Sequence, residues 1–148
     1  MNNKIPPPIV TLVFGLAIYF SRSIFPDLSN AIFNIISILL IISGPFILIS
    51  AVRSFKAHQT TINPINIDKA TSLVESGTFK YSRNPMYLGM ALILLSISFK
   101  FNLIGGIFFT LLFAIYITRF QIIPEEAVME KLFGEDFQKY KNKTRMWI

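Results

Sequence analysis

The stretch Gly77-Thr78-Phe79-Lys80-Tyr81-Ser82-Arg83-Asn84-Pro85-Met86-Tyr87-Leu88-Gly89 crowds glycine, proline, cations, aromatics and a polar amide together just before an apolar run. Pro85 lacks an N–H and presets its φ, so it suits the first turn of a helix, with Asn84 as the cap in front of it. The N–H groups of Met86, Tyr87 and Leu88 then point out of the helix start, where the dipole favours an anion or carboxylate. Gly77 and Gly89 permit close backbone approach. Taken alone, the same residues also describe a capped helix with a snorkelling Arg83 and an interfacial Tyr87.

A second polar cluster, Pro124-Glu125-Glu126, follows the last apolar run. Adjacent carboxylates are either solvated residues in the first turn of a helix or members of a site where a cation satisfies them. That cation is Arg83, Arg119 or a charged ligand. The expectation is that the two polar clusters meet at one membrane face and form a single site.

Composition decides the setting. A length of 148 residues leaves room for one domain. With 53% hydrophobic residues, 15% charged and 15 Phe, the chain has too little polar surface for a soluble fold of this size. The absence of cysteine excludes disulfides, thiolate metal sites and thiol nucleophiles. The single histidine, His58, excludes a multi-histidine metal site and reads as a surface residue. No metal is expected. The net charge of +6 lies in short segments between apolar runs, which points to anionic lipid headgroups rather than nucleic acid.

Working outward, the apolar runs predict an all-α membrane helical bundle of about four transmembrane helices. The first follows Pro6-Pro7-Pro8 and covers residues 9–20, continuing toward Phe25. The second covers residues 31–52, enough to cross a hydrocarbon layer of ~30 Å, with a kink expected at Gly44-Pro45. Residues 53–76 read as polar and irregular, with a turn at Asn63-Pro64 and a short helix over 68–75. Residues 86–99 and 103–118 form a helical hairpin closed by Lys100-Phe101-Asn102. Beyond Arg119, residues 124–148 predict an amphipathic surface helix with Val128, Leu132, Phe133, Phe137 and Tyr140 on its apolar face. Trp147 suits the headgroup level.

Of the 14 Lys and Arg residues, only Arg22 and Lys100 fall on one side of such a bundle. The positive-inside rule therefore puts both termini and both polar clusters in the cytoplasm. A fifth span would change the placement of Lys4 alone. The whole chain, 1–148, reads as one domain, with residues 1–53 as membrane anchor and 54–148 as the working core.

Read in order, Leu73-Val74-x-x-Gly77-x-Phe79-x-Tyr81-x-Arg83-Asn84-Pro85-x-Tyr87-Leu88-Gly89, then Glu125-Glu126, then Phe133-Gly134-x-x-Phe137-x-x-Tyr140, resembles the integral-membrane methyltransferases related to isoprenylcysteine carboxyl methyltransferase and phospholipid methyltransferase. The resemblance runs from about Arg53 onward. It implies a donor site for S-adenosylmethionine built without a Rossmann domain, in keeping with the lack of a G-x-G-x-x-G motif. Carried over position by position, it assigns the cofactor to Ser72, Leu73, Val74, Phe79, Asn84, Pro85, Met86, Tyr87 and Glu125. The chain departs from the isoprenylcysteine enzymes at Asn84, where they usually have histidine. It departs again at Gln121, where they tend to place a substrate-facing arginine.

The chemistry of the donor agrees with those assignments. A carboxylate such as Glu125 suits its sulfonium or ammonium, helix N–H groups suit its carboxylate, and Phe79 or Tyr81 suits its cationic and aromatic parts. Arg83, Arg119 and Glu126 are the candidate catalytic residues. Arg119 would hold a carboxylate acceptor, whereas Glu126 would serve as base for an amine. The reading is methyl transfer to a lipophilic acceptor, either an isoprenylcysteine-like carboxylate or a phospholipid-like amine, among membrane lipids. The alternative is a non-enzymatic membrane scaffold or lipid-binding protein whose polar clusters are only caps and anchors.

Overall fold

Pro7 occupies the first position of α1 (Pro7–Phe20), as its fixed φ favours, and one 3₁₀ turn over Ser21–Ser23 ends that element. This computed structural model describes residues 5–58 and 70–148. Helix α2 (Ala31–Ala57) opens on Asn30, whose side chain accepts from the Phe33 N–H at 2.9 Å. It runs on through Pro45 and past the expected end of the apolar run, so Arg53 and Lys56 are helical. Tertiary packing explains the extension: Ala51 is fully buried, and Phe55 stands edge-to-face against Phe79 at 5.0 Å.

The helix expected over residues 68–75 is not formed at 70–75. Its first two residues and the Asn63-Pro64 turn lie outside the described residues. A 3₁₀ turn at Gly77–Lys80 follows, entered through Gly77 at φ +61°, a conformation that glycine adopts without strain. Helix α3 (Pro85–Phe101) is joined to α4 (Leu103–Ile117) by Asn102 alone. A π turn, Thr118–Ile122, then leads into α5 (Ile123–Lys143), so that Leu103–Lys143 is one long helical rod. The rod bends at Gly134, whose φ of +48° is non-helical. No strand occurs among the described residues.

Helix α3 is central and packs against α1, α2 and α4. Its contact with α2 is a seam of small residues. Ser37, Gly44 and Ala51, all buried, recur every seventh residue of α2. The Ser37 hydroxyl donates to the Ser96 carbonyl and the Ser96 hydroxyl returns the bond to the Ser37 carbonyl, each at 2.9 Å. Further along, a Cβ on Gly44 would lie 2.8 Å from the Gly89 carbonyl, and one on Gly89 would lie 2.8 Å from the Gly44 carbonyl. The two helices are therefore antiparallel and nearly backbone to backbone, the packing that small residues allow inside a membrane. Gly44, expected as part of a kink, is a contact point.

Polar ties mark the two ends of the bundle. At one end buried Asn102 caps α4 through Gly105 N and donates to the Ser21 hydroxyl at 3.0 Å. At the other, Gln121 donates to the Ile5 carbonyl at 2.9 Å, bringing the start of α1 beside the π turn. Between the ends the outer surface is apolar, with Phe46 72% and Ile115 65% exposed. Only 17% of the most apolar window of α2 is buried, whereas the core helix of a soluble protein would be mostly covered. Hydrocarbon is the solvent such a surface fits, and the chain is a membrane protein.

Candidate active site

The end of the bundle that carries Gln121 also gathers the end of α2, the 70–76 segment, the 3₁₀ turn and the starts of α3 and α5. An apolar cluster of Ala51, Val74, Phe79, Phe137 and Tyr140 holds these elements together, with Phe55, Leu73, Met86, Met129 and Phe133 packed on it. The Tyr140 hydroxyl donates to the Phe79 carbonyl at 2.7 Å, and burial raises the phenol above its ordinary range, so it stays a donor. Of the predicted apolar face of α5, Phe133, Phe137 and Tyr140 turn inward. Leu132 does not, being 42% exposed.

Above this cluster lie two carboxylate contacts. The Tyr87 hydroxyl donates to Glu125 Oε1 at 2.6 Å. Burial pushes the Glu125 carboxyl up to about 7, the Tyr87 hydrogen bond pulls it down, and the neighbouring Glu126 charge pushes it up again. Among the described residues no Lys or Arg pairs with Glu125. Arg83 takes the other glutamate. Its Nε and Nη2 donate to Glu126 Oε1 at 2.9 and 2.8 Å, and its Nη1 donates to the Thr144 and Lys141 carbonyls at 2.5 and 3.3 Å. With side chains 10% and 14% exposed, this is a nearly buried pair. Lys141 Nζ lies 4.0 Å from the second oxygen of Glu126 and 3.7 Å from Glu130.

Asn84 precedes α3 as expected, but its side chain does not cap the helix; it donates instead to the Met146 carbonyl at 3.0 Å. The Leu88 N–H is taken by the Asn84 carbonyl at 3.0 Å, which leaves the Met86 and Tyr87 amides as the uncapped ones of the expected three. Tyr81 is 78% exposed and stands apart from Phe79, which is buried. Ser72 donates to the His58 carbonyl at 3.0 Å, fixing the segment that carries Leu73 and Val74 against the end of α2.

Of the residues singled out in the sequence, Leu73, Val74, Phe79 and Met86 therefore share one cluster. Tyr87 with Glu125 and Arg83 with Glu126 form pairs at the same end, and Pro85 is fully buried between them. Arg119 stands elsewhere. It is exposed and lines an outward-facing groove of about 380 Å³ with Leu111, Ala114, Ile115, Thr118, Ile123 and Trp147. Residues 144–148, which supply three carbonyls to the site, were expected to continue the surface helix, but α5 ends at Lys143 and Thr144 is extended. Main-chain acceptors leave no trace in residue identity.

The described residues hold no cluster of His, Cys, Asp or Glu able to bind a metal. The phospholipid methyltransferase family matches the chain over residues 32–136, which takes in α2, α3, α4 and both glutamates. The chain belongs to this family. It is also similar to an uncharacterized protein of Haemophilus influenzae, 35% identical over 63 residues, which are 43% of this chain and 100% of that protein. No solved structure matches. Membership makes the chain a membrane methyltransferase at the level the family defines.

Proposed function

We propose that this phospholipid methyltransferase relative binds S-adenosylmethionine at the Tyr87–Glu125 end of the bundle and methylates a lipophilic acceptor supplied from the membrane. The observation that carries the reading is the 2.6 Å contact between Tyr87 and Glu125, which joins the two polar clusters. A half-buried carboxylate with no cationic partner among the described residues fits an ammonium or sulfonium. Buried Gln121, one turn earlier in the rod, leaves its Oε1 without a hydrogen-bond donor and fits an N–H. The uncapped first turn of α3 fits a carboxylate.

When bound, S-adenosylmethionine supplies an electrophilic methyl group on sulfur. The chain's own residues then have three tasks. Glu125, with Tyr87 fixing its orientation, holds the cationic part of the donor. Ser72, Leu73, Val74, Phe79, Asn84, Pro85 and Met86 shape the surrounding wall and keep water out of a transfer that depends chiefly on alignment. Arg83 and Glu126 hold the turn that presents Asn84 and Tyr87, so Glu126 works here through its ion pair rather than as a free base.

The groove beside Arg119 suits the acceptor. Its floor is apolar and opens to the lipid-facing side, and the exposed guanidinium at its edge matches an anionic headgroup. A phospholipid-like amine fits this combination better than a prenylcysteine carboxylate. We read the chain as multi-pass, with α1 to α4 crossing the membrane and the site on the cytoplasmic side, where nearly all the cations collect.

Calorimetry of the purified protein with S-adenosylmethionine tests the donor site: binding should be lost in a Tyr87→Ala, Glu125→Ala double variant. Wild-type affinity no better than that of the double variant would remove the basis of the reading. Incubation with radiolabelled donor and a membrane-lipid extract, followed by mass spectrometry, should reveal a lipid heavier by one CH₂.

A further inference from the structure

Residues 144–148 leave α5 with Thr144 in an extended conformation, φ −126° and ψ 133°, and turn back over the start of α3. Their successive carbonyls then meet successive residues of the turn before that helix. Arg83 Nη1 donates to Thr144 O at 2.5 Å, Arg83 N to Arg145 O at 3.0 Å, and Asn84 Nδ2 to Met146 O at 3.0 Å. Ser82 Oγ adds a longer bond to Met146 O at 3.4 Å. Backbone carbonyls withdrawn from water need donors, so Ser82-Arg83-Asn84 cannot rotate without leaving several of them unpaired. The same bonds draw the Asn84 side chain away from capping α3.

The segment is pegged at its far end. Trp147 Nε1 donates to Thr118 Oγ1 in the π turn at 3.1 Å. Met146 and Trp147 also rest on the core cluster that contains Tyr87. The chain from Thr144 to Trp147 thus spans from the ion pair at Arg83 to the rod that carries Glu125.

We propose that residues 144–148 are a positioning element of the donor site, which hold the Ser82–Asn84 turn in its binding geometry with Trp147 as the peg. This rests on the methyltransferase reading above. The segment touches no reacting atom; it acts through Arg83, Asn84 and the orientation of α3. Whatever its docking contributes to donor affinity, donor binding must return to its docking.

Trp147 is the one tryptophan in the chain, so intrinsic fluorescence reads the segment directly. Saturating S-adenosylmethionine should shift Trp147 emission to the blue and reduce its quenching by acrylamide. Thr118→Val removes a single hydrogen bond and keeps side-chain bulk and fluorophore. It should weaken donor binding, read by calorimetry with no acceptor present, about three- to ten-fold, as expected for one hydrogen bond. Trp147→Phe should do the same, and deletion of residues 144–148 should weaken donor binding further. Thr118 and Trp147 also line the groove beside Arg119, so donor binding rather than turnover is the readout. A Thr118→Val variant or a folded deletion variant that binds the donor as wild type does overturns the proposal and leaves the methyltransferase reading intact. So does a Trp147 signal that ignores a bound donor. Wild-type protein that binds no donor overturns both. Should the deletion variant fail to fold, Thr118→Val decides.

Discussion

The Tyr87 hydroxyl donates to the Glu125 carboxylate across 2.6 Å, closing a loop of chain that contains the whole α3–α4 hairpin. The Tyr87 ring is part of the buried core, and its hydroxyl aims at a half-buried carboxylate that it must satisfy or leave unmet.

Two substitutions separate the structural from the functional part of this contact. Tyr87→Phe removes the donor and should destabilise the protein in detergent by about 1.5–3 kcal/mol, the range for a hydrogen bond to a charged group. Glu125→Gln keeps an acceptor for Tyr87 and loses the charge. Thermal unfolding should change little, whereas affinity for S-adenosylmethionine should fall more than about tenfold. Glu125→Gln protein that titrates like wild type would remove Glu125 from the donor site.

Acidity gives a second test of the same carboxyl. Its folded-state value of about 7 lies above its ordinary 4.5, because burial penalises the ion. The folded state therefore binds the proton more tightly than the unfolded one. The stability this confers is fully present below about pH 4.5 and is lost as pH rises through about 7, on the order of 3 kcal/mol in all. Donor binding should run the other way. A cationic ligand needs the ion, so affinity should rise between about pH 6 and about pH 8, with proton release on binding. Calorimetry in buffers of different ionisation enthalpy measures that release, and Glu125→Gln should abolish it.

The Arg83–Glu126 pair should behave as one unit. Its side chains are 10% and 14% exposed, and every nitrogen of the guanidinium has a partner. Removing one member leaves the other as an uncompensated, poorly hydrated charge, at a cost of about 3–5 kcal/mol. Glu126→Gln and Arg83→Met should each lower the unfolding temperature sharply, and the double variant should cost clearly less than the two losses added. Strict additivity in that cycle would mean that the ion pair carries no coupling.

How much of this was written in the residue types depends on what held each part. The helices followed from apolar run lengths, and the meeting of the two polar clusters followed from the two apolar runs between them, a hairpin that returns the chain to the same end of the bundle. Three features were less legible. Gly44 next to Pro45 reads as a break in a hydrophobic run, yet with Ser37 and Ala51 it forms a seven-residue repeat facing α3. A stripe of small residues has weak hydropathy contrast, so only its period betrays it. Helix α2 passes Arg53 because Ala51 and Phe55 pack on Phe79, a contact distant in sequence that outweighs local polarity. Asn84 has the residue type of a cap, but the Met146 carbonyl competes successfully for its amide.

The small-residue seam makes a prediction of its own. A Cβ at Gly44 would stand 2.8 Å from both the Gly89 carbonyl and the Ile93 side chain. The backbone oxygen cannot step aside, so Gly44→Ala must push α2 and α3 apart. The expected loss is about 1–3 kcal/mol, read from unfolding in detergent. Because Ala51 rides on α2 and the 3₁₀ turn carrying Phe79 leads into α3, donor affinity should fall with it. Ile93→Ala relieves only the flexible half of the clash and should rescue Gly44→Ala incompletely.

The orientation of the bundle can be read chemically because the chain has no cysteine, so any introduced thiol is reported without background. The two cations expected on the outer side are both engaged: the Arg22 guanidinium lies 4.3 Å from the Tyr19 ring centroid, and Lys100 Nζ donates to Asn34 at 3.0 Å. Exposed Lys139, whose Nζ is 3.3 Å from Asp136, lies on α5 at the opposite end. In the proposed topology, Lys100→Cys should react with a membrane-impermeant maleimide added to intact cells, and Lys139→Cys only after the membrane is opened. Labelling of both positions from outside would place α5, and the Tyr87–Glu125 site with it, on the outer face. A cytoplasmic cosubstrate could not reach the site there, so the same experiment bears on orientation and on donor access together.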